Sequence, residues 1–315
     1  MDIIGLLIFP GLAFLLALAW FYEWLDRRFF ARLQNRYGPL YTGSHGLLQP
    51  LADFIKLLAK EDIEPTAVDK PLFRGVPILI LALPLTALFL IPMSGVNAFV
   101  HFEGDLIFTI FIMSLLAIMA FLGGWSSTNR FSTLGGLRAA MQTLGYEVPL
   151  AIVLIGPAIV ARSLSITKIV EWQVVNGIWM IALAPIGFGI TILATLAELE
   201  KVPFDIPGAE TEIVAGWQTE FSGRKLALMR LALDIELVLA AGLTTALFLG
   251  GPSGPIALIP SVVWFLIKST VVVLILSNLR ALFARFKIDQ MISGSWKYLV
   301  PLAILQIVIL QLLLR

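Results

Sequence analysis

The sequence has no cysteine and only two histidines, His45 and His101. Without cysteine the chain forms no disulfide and holds no iron–sulfur cluster through thiolates. Both histidines lie outside the long apolar runs, which argues against a membrane cytochrome with paired histidine haem ligands. We therefore expect this chain to have no catalytic residue, no metal site and no bound cofactor, so that any electrons are carried by partner subunits.

Charge is scarce as well: charged residues make up 14% of the 315 residues, and the net charge is +1. A nearly neutral chain has no overall field that would attract nucleic acid. Hydrophobic residues reach 59% and the mean hydropathy is +0.93, well beyond the balance of a soluble domain. The composition predicts an integral membrane protein.

Continuous apolar runs of about 18 to 24 residues match a helix crossing a hydrocarbon core about 30 Å thick, whereas barrel strands alternate over about ten residues. The prediction is an all-α membrane protein, one domain over residues 1–315, with eight transmembrane helices and long cytoplasmic loops. The first run has neither a basic leader nor a cleavage site and is read as a retained helix. The predicted spans are 3–24, 75–92, 105–122, 145–161, 178–197, 226–250, 257–279 and 297–314.

Most of the 22 lysine and arginine residues fall in alternate loops, which assigns those loops to the cytoplasm and both termini to the outside. In the first of these loops, residues 46–60 place leucine, isoleucine and phenylalanine on one helical face. This pattern is typical of an amphipathic interfacial helix. Simple membrane anchoring explains that helix equally well.

The stretch AELEKVPFDIPGAETEIVAG (197–216) contains five acids and one base between two apolar runs. Apolar residues alternate with the acids and two prolines stiffen the segment, so it does not resemble a solvated loop. Carboxylates that crowd together beside lipid are expected to have raised pKa values and to exchange protons near neutral pH. The acids are Glu198, Glu200, Asp205, Glu210 and Glu212.

Four more ionisable residues lie within the predicted spans: Glu147, Asp234, Glu236 and Lys268. Each is costly in lipid unless paired, so each is a functional candidate. Together with Glu198 and Glu200 they predict a polar track from the inner loops into the bilayer, as a proton relay requires. The alternative is a structural ion pair between Lys268 and either Asp234 or Glu236.

Several long stretches, in the same order, resemble one family: the eight-helix membrane subunit of respiratory complex I that connects the redox arm to the membrane arm. Related subunits occur in ion-pumping hydrogenases and sulfur-reducing complexes. The matching stretches are DRRFFARLQNRYGP, GLLQPLADFIKLLAKEDIEP, GWSSTNRFSTLGGLRAAMQTLGYEVPL, AELEKVPFDIPGAETEIVAGWQTEFSGRKLAL, KSTVVVLILSNLRALFARFKIDQ and WKYLVPLA.

The resemblance implies that the inner loops enclose the end of a quinone-type acceptor chamber, framed by the first span, the amphipathic helix and the sixth span. It implies an ion-coupling path that starts at the acids and carries redox energy to ion movement. Residues carried over to the chamber side are Arg27, Arg36, Asp53 and Lys56. Residues carried over to the coupling path are Glu147, Glu198, Asp205, Glu210, Glu212, Glu220 and Lys268, which join Glu200, Asp234 and Glu236.

The resemblance also implies the surroundings of the chain. The partners would be hydrophilic redox subunits docked on the cytoplasmic loops, one with the terminal iron–sulfur cluster and one large catalytic-type subunit. Antiporter-like membrane subunits and the lipid bilayer would complete them, with no nucleic acid. The implied location is the cell membrane of a prokaryote. The chain itself would hold no redox centre, and a quinone would be the candidate acceptor.

Three positions depart from the family pattern: Gly208 replaces an acid, Leu233 replaces the acid of the sixth span with Asp234 after it, and Ala284 replaces a proline. They leave the acceptor open between quinone, which is favoured, and a sulfur species or protons, as in a ferredoxin-driven reductase or hydrogenase that pumps Na⁺ or H⁺. A stand-alone ion transporter and a passive anchor for a soluble enzyme are further alternatives. No inverted repeat favours the transporter, and an anchor does not need buried charges.

Overall fold

The computed structural model describes residues 3–256 and 258–314, and every regular element in them is helical. Short 3₁₀ turns cover Ser44–Gly46 and Gly216–Gln218, and a π-helical turn covers Ser295–Leu299. The α-helices are α1 (Ile3–Leu7), α2 (Leu12–Leu33), α3 (Gln49–Leu58), α4 (Lys70–Leu88), α5 (Asp105–Ser126), α6 (Arg130–Ala161), α7 (Ile166–Asn176), α8 (Met180–Leu183), α9 (Pro185–Glu198), α10 (Glu210–Ile213), α11 (Gly223–Phe248), α12 (Ser261–Leu282), α13 (Ile288–Gly294) and α14 (Val300–Leu313).

Seven helical stretches of the described chain are long and apolar enough to cross a membrane. This confirms the all-α membrane class, because lipid leaves the backbone no hydrogen-bond partners except its own. The eighth crossing remains a prediction. The seven stretches are Gly5–Leu33, Lys70–Leu88, Asp105–Ser126, Arg130–Ala161, Gly223–Phe248, Ser261–Leu282 and Ile288–Leu313.

The predicted span 178–197 is not one continuous helix. The backbone leaves helical geometry at Ala184, with φ −126° and ψ 57°, and α9 restarts at Pro185. Proline disfavours helical geometry in the residue before it and suits the first helical position. With 14 residues, α9 is about 21 Å long, shorter than a hydrocarbon core of about 30 Å.

Three predicted boundaries fall well inside the observed helices. Helix α2 continues to Leu33 rather than residue 24, α6 begins at Arg130 rather than residue 145, and helical structure resumes at Ile288 rather than residue 297. Hydrophobicity marks only the part of a helix that lies in lipid, whereas the backbone hydrogen bonds continue into the charged flanks. The predicted seventh span starts at residue 257, which lies outside the described residues, and α12 begins at Ser261.

Gly145 lies inside α6 and does not break it. A Cβ atom at this position would come within 2.7 Å of the Met291 sulfur. The glycine therefore permits close packing of α13 on α6. The 32-residue helix tolerates its two internal prolines because neighbouring helices support the freed backbone groups.

Helix α11 forms the centre of the molecule and packs against α2, α4 and α12. The predicted amphipathic helix is present as α3, somewhat shorter than residues 46–60, and it packs on α2 and α11. Its Phe54 contacts Trp20 of α2, with ring centroids 6.1 Å apart, while Leu48 and Ile55 stay exposed. This arrangement leaves a polar cavity between α3 and the bundle.

Candidate functional site

A charged chamber of about 410 Å³ lies between α2, α3, α11 and the turn after α9. Both signs of charge face it, and the aromatic rings of Trp20 and Phe54 close one wall. We call it the chamber. Its charged residues are Glu23, Asp26, Arg27, Asp53, Lys56, Lys60, Lys201, Arg230, Asp234 and Arg280.

Asp26 is the most buried charge of the chamber, with 1% of its surface exposed. Its Oδ2 accepts hydrogen bonds from Nζ of Lys201 at 2.8 Å and from Nη1 of Arg280 at 2.9 Å, and Ser277 donates to Oδ1. The guanidinium of Arg280 also lies over the Phe30 ring. One carboxylate thus ties α2 to α12 and to the acidic loop after α9.

A second ion-pair network links α2 to α3. Arg27 donates from Nη1 to Asp53 at 2.7 Å and from Nε to Glu23 at 2.5 Å, and Gln49 donates to the other oxygen of Asp53 at 3.0 Å. Partial burial raises the pKa of Asp53, but the hydrogen bonds from Arg27 and Gln49 outweigh it and leave the pKa below its usual range. The chamber thus keeps Asp53 ionised beside a base.

A second, much smaller cavity of about 30 Å³ lies behind the chamber, among α5, α6, α9 and α11. It is lined by Glu198, Glu200 and Glu236 with Gln142 and Tyr146, the other residues being largely apolar. We call it the acid cavity. No lysine or arginine is among the described residues that line it.

Glu198 closes α9, and only 6% of its surface is exposed. Both of its carboxylate oxygens are buried without a hydrogen-bond partner in the described protein, and the same holds for Oε1 of Gln142. The amide nitrogen of Gln142 donates to the Ala197 carbonyl at 2.6 Å, which holds its oxygen beside the last turn of α9. The acid cavity therefore contains acceptor atoms that the protein leaves unsatisfied.

Glu200 follows α9 with φ 49°, a left-handed conformation that glycine usually adopts at a helix end. The indole N–H of Trp217 donates to its Oε2 at 3.0 Å. Burial raises the pKa of Glu200 to about 7, against the lowering effect of that hydrogen bond, and the nearby charge of Asp205 raises it further. The group therefore titrates near neutral pH.

A third cavity of about 10 Å³ continues the acid cavity through the shared residues Met113, Thr143 and Tyr146. It contains Glu147, which accepts a hydrogen bond from Ser114. Glu147, Glu198, Glu200 and Glu236 thus form one group, the acid cluster. Leu233 lines both the chamber and the acid cavity and separates them, with Asp234 on the chamber side and Glu236 on the acid side.

Comparison with known proteins identifies the family. A family model described as NADH dehydrogenase matches residues 5–311. The H subunit of the NADH-quinone oxidoreductase from Geobacillus sp. (strain WCH70) is 39% identical over 309 residues, which cover 96% of this chain and 92% of that protein. The second H-type protein of Syntrophobacter fumaroxidans is 37% identical over 95% of this chain and 92% of its own length. The chain belongs to this NADH dehydrogenase family.

Against this family background, the structure assembles most residues predicted for the site. Arg27, Asp53, Lys56 and Asp234 line the chamber, together with the amphipathic helix expected there. Arg36 does not: it lies exposed past the end of α2, where its Nε donates to Gln34 at 2.9 Å. Four predicted acids, Glu147, Glu198, Glu200 and Glu236, form the acid cluster.

The later acids of the loop lie apart from both cavities. Glu212 is exposed, and a hydrogen bond from Arg138 at 2.6 Å lowers its pKa. Glu220 accepts from Asn129, and Glu210 is exposed. Asp205 has a raised pKa because burial outweighs the nearby Arg285 and Arg280.

Gly208 lies next to Asp205. A Cβ atom at Gly208 would come within 2.7 Å of the Asp205 carboxylate. An acid at this position, as in the family pattern, would bring a second side chain against that carboxylate. The departure at Gly208 therefore leaves Asp205 without a crowded acidic neighbour at this point of the loop.

Lys268 joins neither cavity, and its predicted ion pair with Asp234 or Glu236 is wrong. Its ammonium donates to the carbonyls of Leu249 at 2.5 Å, Gly251 at 3.1 Å and Ser253, and it lies over the Trp179 ring. Leu249 is thirteen positions after Glu236, which is about 20 Å along a helix that rises 1.5 Å per residue. The lysine caps the far end of α11.

Sequence reasoning missed Glu23, Asp26, Lys201, Arg230 and Arg280 of the chamber. Asp26 and Arg280 were visible as charges at the ends of two apolar runs, but nothing in the sequence pairs residues so far apart. It also missed Gln142 and Trp217, because a single buried amide or indole has no sequence signature.

Proposed function

We propose that this chain is the membrane subunit that links the redox arm of a complex-I-type oxidoreductase to its ion-translocating arm. In this role it lines the end of the acceptor chamber and starts the path that couples electron transfer to ion movement. The observation that carries the proposal is the contact of two opposite environments at Leu233: a large chamber with paired charges and a small cavity with unpaired acids.

The chamber supports the acceptor role. A quinone head group needs hydrogen-bond donors in a partly apolar pocket, because its oxygens gain negative charge on reduction. The chamber offers Arg27, Lys56 and Lys201 together with the rings of Trp20 and Phe54. The relatives are named as parts of NADH-quinone oxidoreductases, which favours quinone over a sulfur species or protons as the acceptor.

The acid cluster supports the coupling role. A charge that appears in the chamber acts on the carboxyl groups behind Leu233 through a medium of low dielectric constant, where screening is weak. Glu200, whose pKa burial raises to about 7, would take up or release a proton in response. Transfer toward Glu147 would follow through the cavities that share Thr143 and Tyr146.

The same proposal assigns the surroundings. The loops that carry Arg138, Glu212 and Arg285 would dock the hydrophilic subunits, one of which holds the terminal iron–sulfur cluster, and antiporter-like subunits would continue the ion path in the membrane. The chain would lie in the cell membrane of a prokaryote with its basic loops inside and both termini outside. Residues 1, 2 and 315 lie outside the described part of the structure.

The test uses the intact complex in proteoliposomes. Glu147→Gln and Glu198→Gln should lower the number of ions moved per electron, because each removes a titrating group, while electron transfer to a short-chain quinone continues. Glu171→Gln is the matched control, since Glu171 is exposed on α7. An unchanged ratio in both acid variants would rule out the coupling role and leave a passive anchor.

A further inference from the structure

The acid cavity has one property that a proton relay alone does not explain. Glu198 presents two buried carboxylate oxygens without any partner, and Gln142 presents its amide oxygen in the same way. Such orphaned acceptors are rare in folded proteins, since each loses its hydration when it is buried. Protonation of Glu198 would satisfy neither the amide oxygen nor the remaining carboxyl oxygen.

The electrostatic surroundings favour a positive occupant over a neutral one. Glu198, Glu200 and Glu236 line the same cavity, Glu147 lines the adjoining one, and no described lysine or arginine lines either. Glu198 is also the last residue of α9, where the helix dipole adds partial negative charge. A water molecule would satisfy the oxygens but not balance this charge.

The size and the ligand types limit the choice of cation. A volume of about 30 Å³ is enough for an ion with at most one or two water molecules. In the described residues, no three acidic or histidine side chains converge to hold a metal ion by themselves. This argues against a divalent ion that needs a full set of charged ligands. A mixed set of one carboxylate, one amide oxygen and water suits a monovalent ion.

We propose that the acid cavity binds a monovalent metal cation, for which Na⁺ is the probe, through the carboxylate of Glu198 and Oε1 of Gln142. The site deepens the proposed function and rests on it: protons and the cation would compete for the same carboxylate at the start of the coupling path. Glu200 and Glu236 supply further negative charge, and Glu200 is held in place by the Trp217 indole.

The experiment measures equilibrium binding of ²²Na⁺ to the intact, resting complex, without electron donor or acceptor. Glu198→Gln should weaken one class of Na⁺ site by at least about tenfold, because it removes the charged ligand. Gln142→Leu should weaken the same class less. Glu171→Gln should bind Na⁺ as the wild type does, and Na⁺ sites on partner subunits cancel in the comparison.

A second measurement does not depend on any variant. The infrared difference spectrum of the wild-type complex, Na⁺ minus a large organic cation, should show a carboxylic-acid band converted to carboxylate. Identical Na⁺ binding by wild type and Glu198→Gln, or the absence of such a band change, overturns the cation site and leaves protons and water as the occupants. The proposed function fails separately, only if the ratio of ions to electrons is unchanged in the acid variants.

Discussion

The chamber and the acid cavity touch at a single leucine but treat carboxylates in opposite ways. In the chamber, Asp26 has Lys201 and Arg280 as partners and Asp53 has Arg27. In the acid cavity, Glu198 has no partner within the described protein. A paired carboxylate stays ionised and fixed in place, whereas an unpaired buried carboxylate changes state when the charge nearby changes. The first arrangement suits binding and the second suits coupling.

The largest effect is expected at Asp26. Asp26→Asn removes the charge shared by Lys201 and Arg280 and leaves two partly buried cations uncompensated, which should cost about 3 to 5 kcal/mol of unfolding free energy. Denaturant unfolding of the subunit in mixed micelles, and its retention in the purified complex, measure the loss. Asp69→Asn is the control, because Asp69 is exposed and makes no side-chain cap. Equal stability of both variants would show that the chamber does not depend on this pairing.

Lys268 tests whether a buried charge outside both cavities is structural. Lys268→Gln removes a charged donor from three carbonyls at the end of α11 and should cost about 2 to 3 kcal/mol. The number of ions moved per electron in proteoliposomes should not change. Lys168→Gln, on an exposed lysine, is the matched control. A stable Lys268→Gln complex with impaired ion movement would return Lys268 to the coupling path.

Glu200 gives the acid cavity a measurable pH dependence. Its pKa is about 7 in the folded protein and about 4.5 for an ordinary glutamate. The unfolded chain therefore ionises first, and stability should fall by about 1 to 3 kcal/mol as the pH rises from about 5 to about 8. Glu200→Gln should flatten this part of the curve of melting temperature against pH. The interpretation fails if the wild type and the variant show the same slope.

The smallest effect is expected at the rim of the chamber. Lys56 lies 3.6 Å from Asp53, with 62% of its side chain exposed. Lys56→Gln should change the unfolding free energy by less than about 0.5 kcal/mol, since exposed ion pairs contribute little. Thermal unfolding beside the wild type provides the measurement. A loss as large as that of Asp26→Asn would contradict the distinction between buried and exposed pairs within the chamber.

Hydrophobicity predicted where the lipid-embedded segments lie but not where their helices begin and end. Apolar runs identified the crossings, and the acids of 197–216 identified the loop where the site forms. The extension of α2 to Leu33 carries Asp26 and Arg27 on a helix rather than in a loop, and this could not be predicted because charged flanks have no apolar period. The break at Ala184 depended on a proline that a purely hydrophobic reading treats as a kink.

The sequence by itself determined the class, because a chain with so few charges and such long apolar runs can satisfy its backbone in lipid only as helices. Through its ordered motifs it also identified the family and most of the chamber and cluster residues. Tertiary structure alone decided which charges are paired. Asp26 and Arg280 are 254 positions apart, and the energy of a charge depends on its nearest neighbours and its burial, which the order of residues does not state. For the same reason, only the fold separates Lys268 from the acids and leaves Glu198 without a partner.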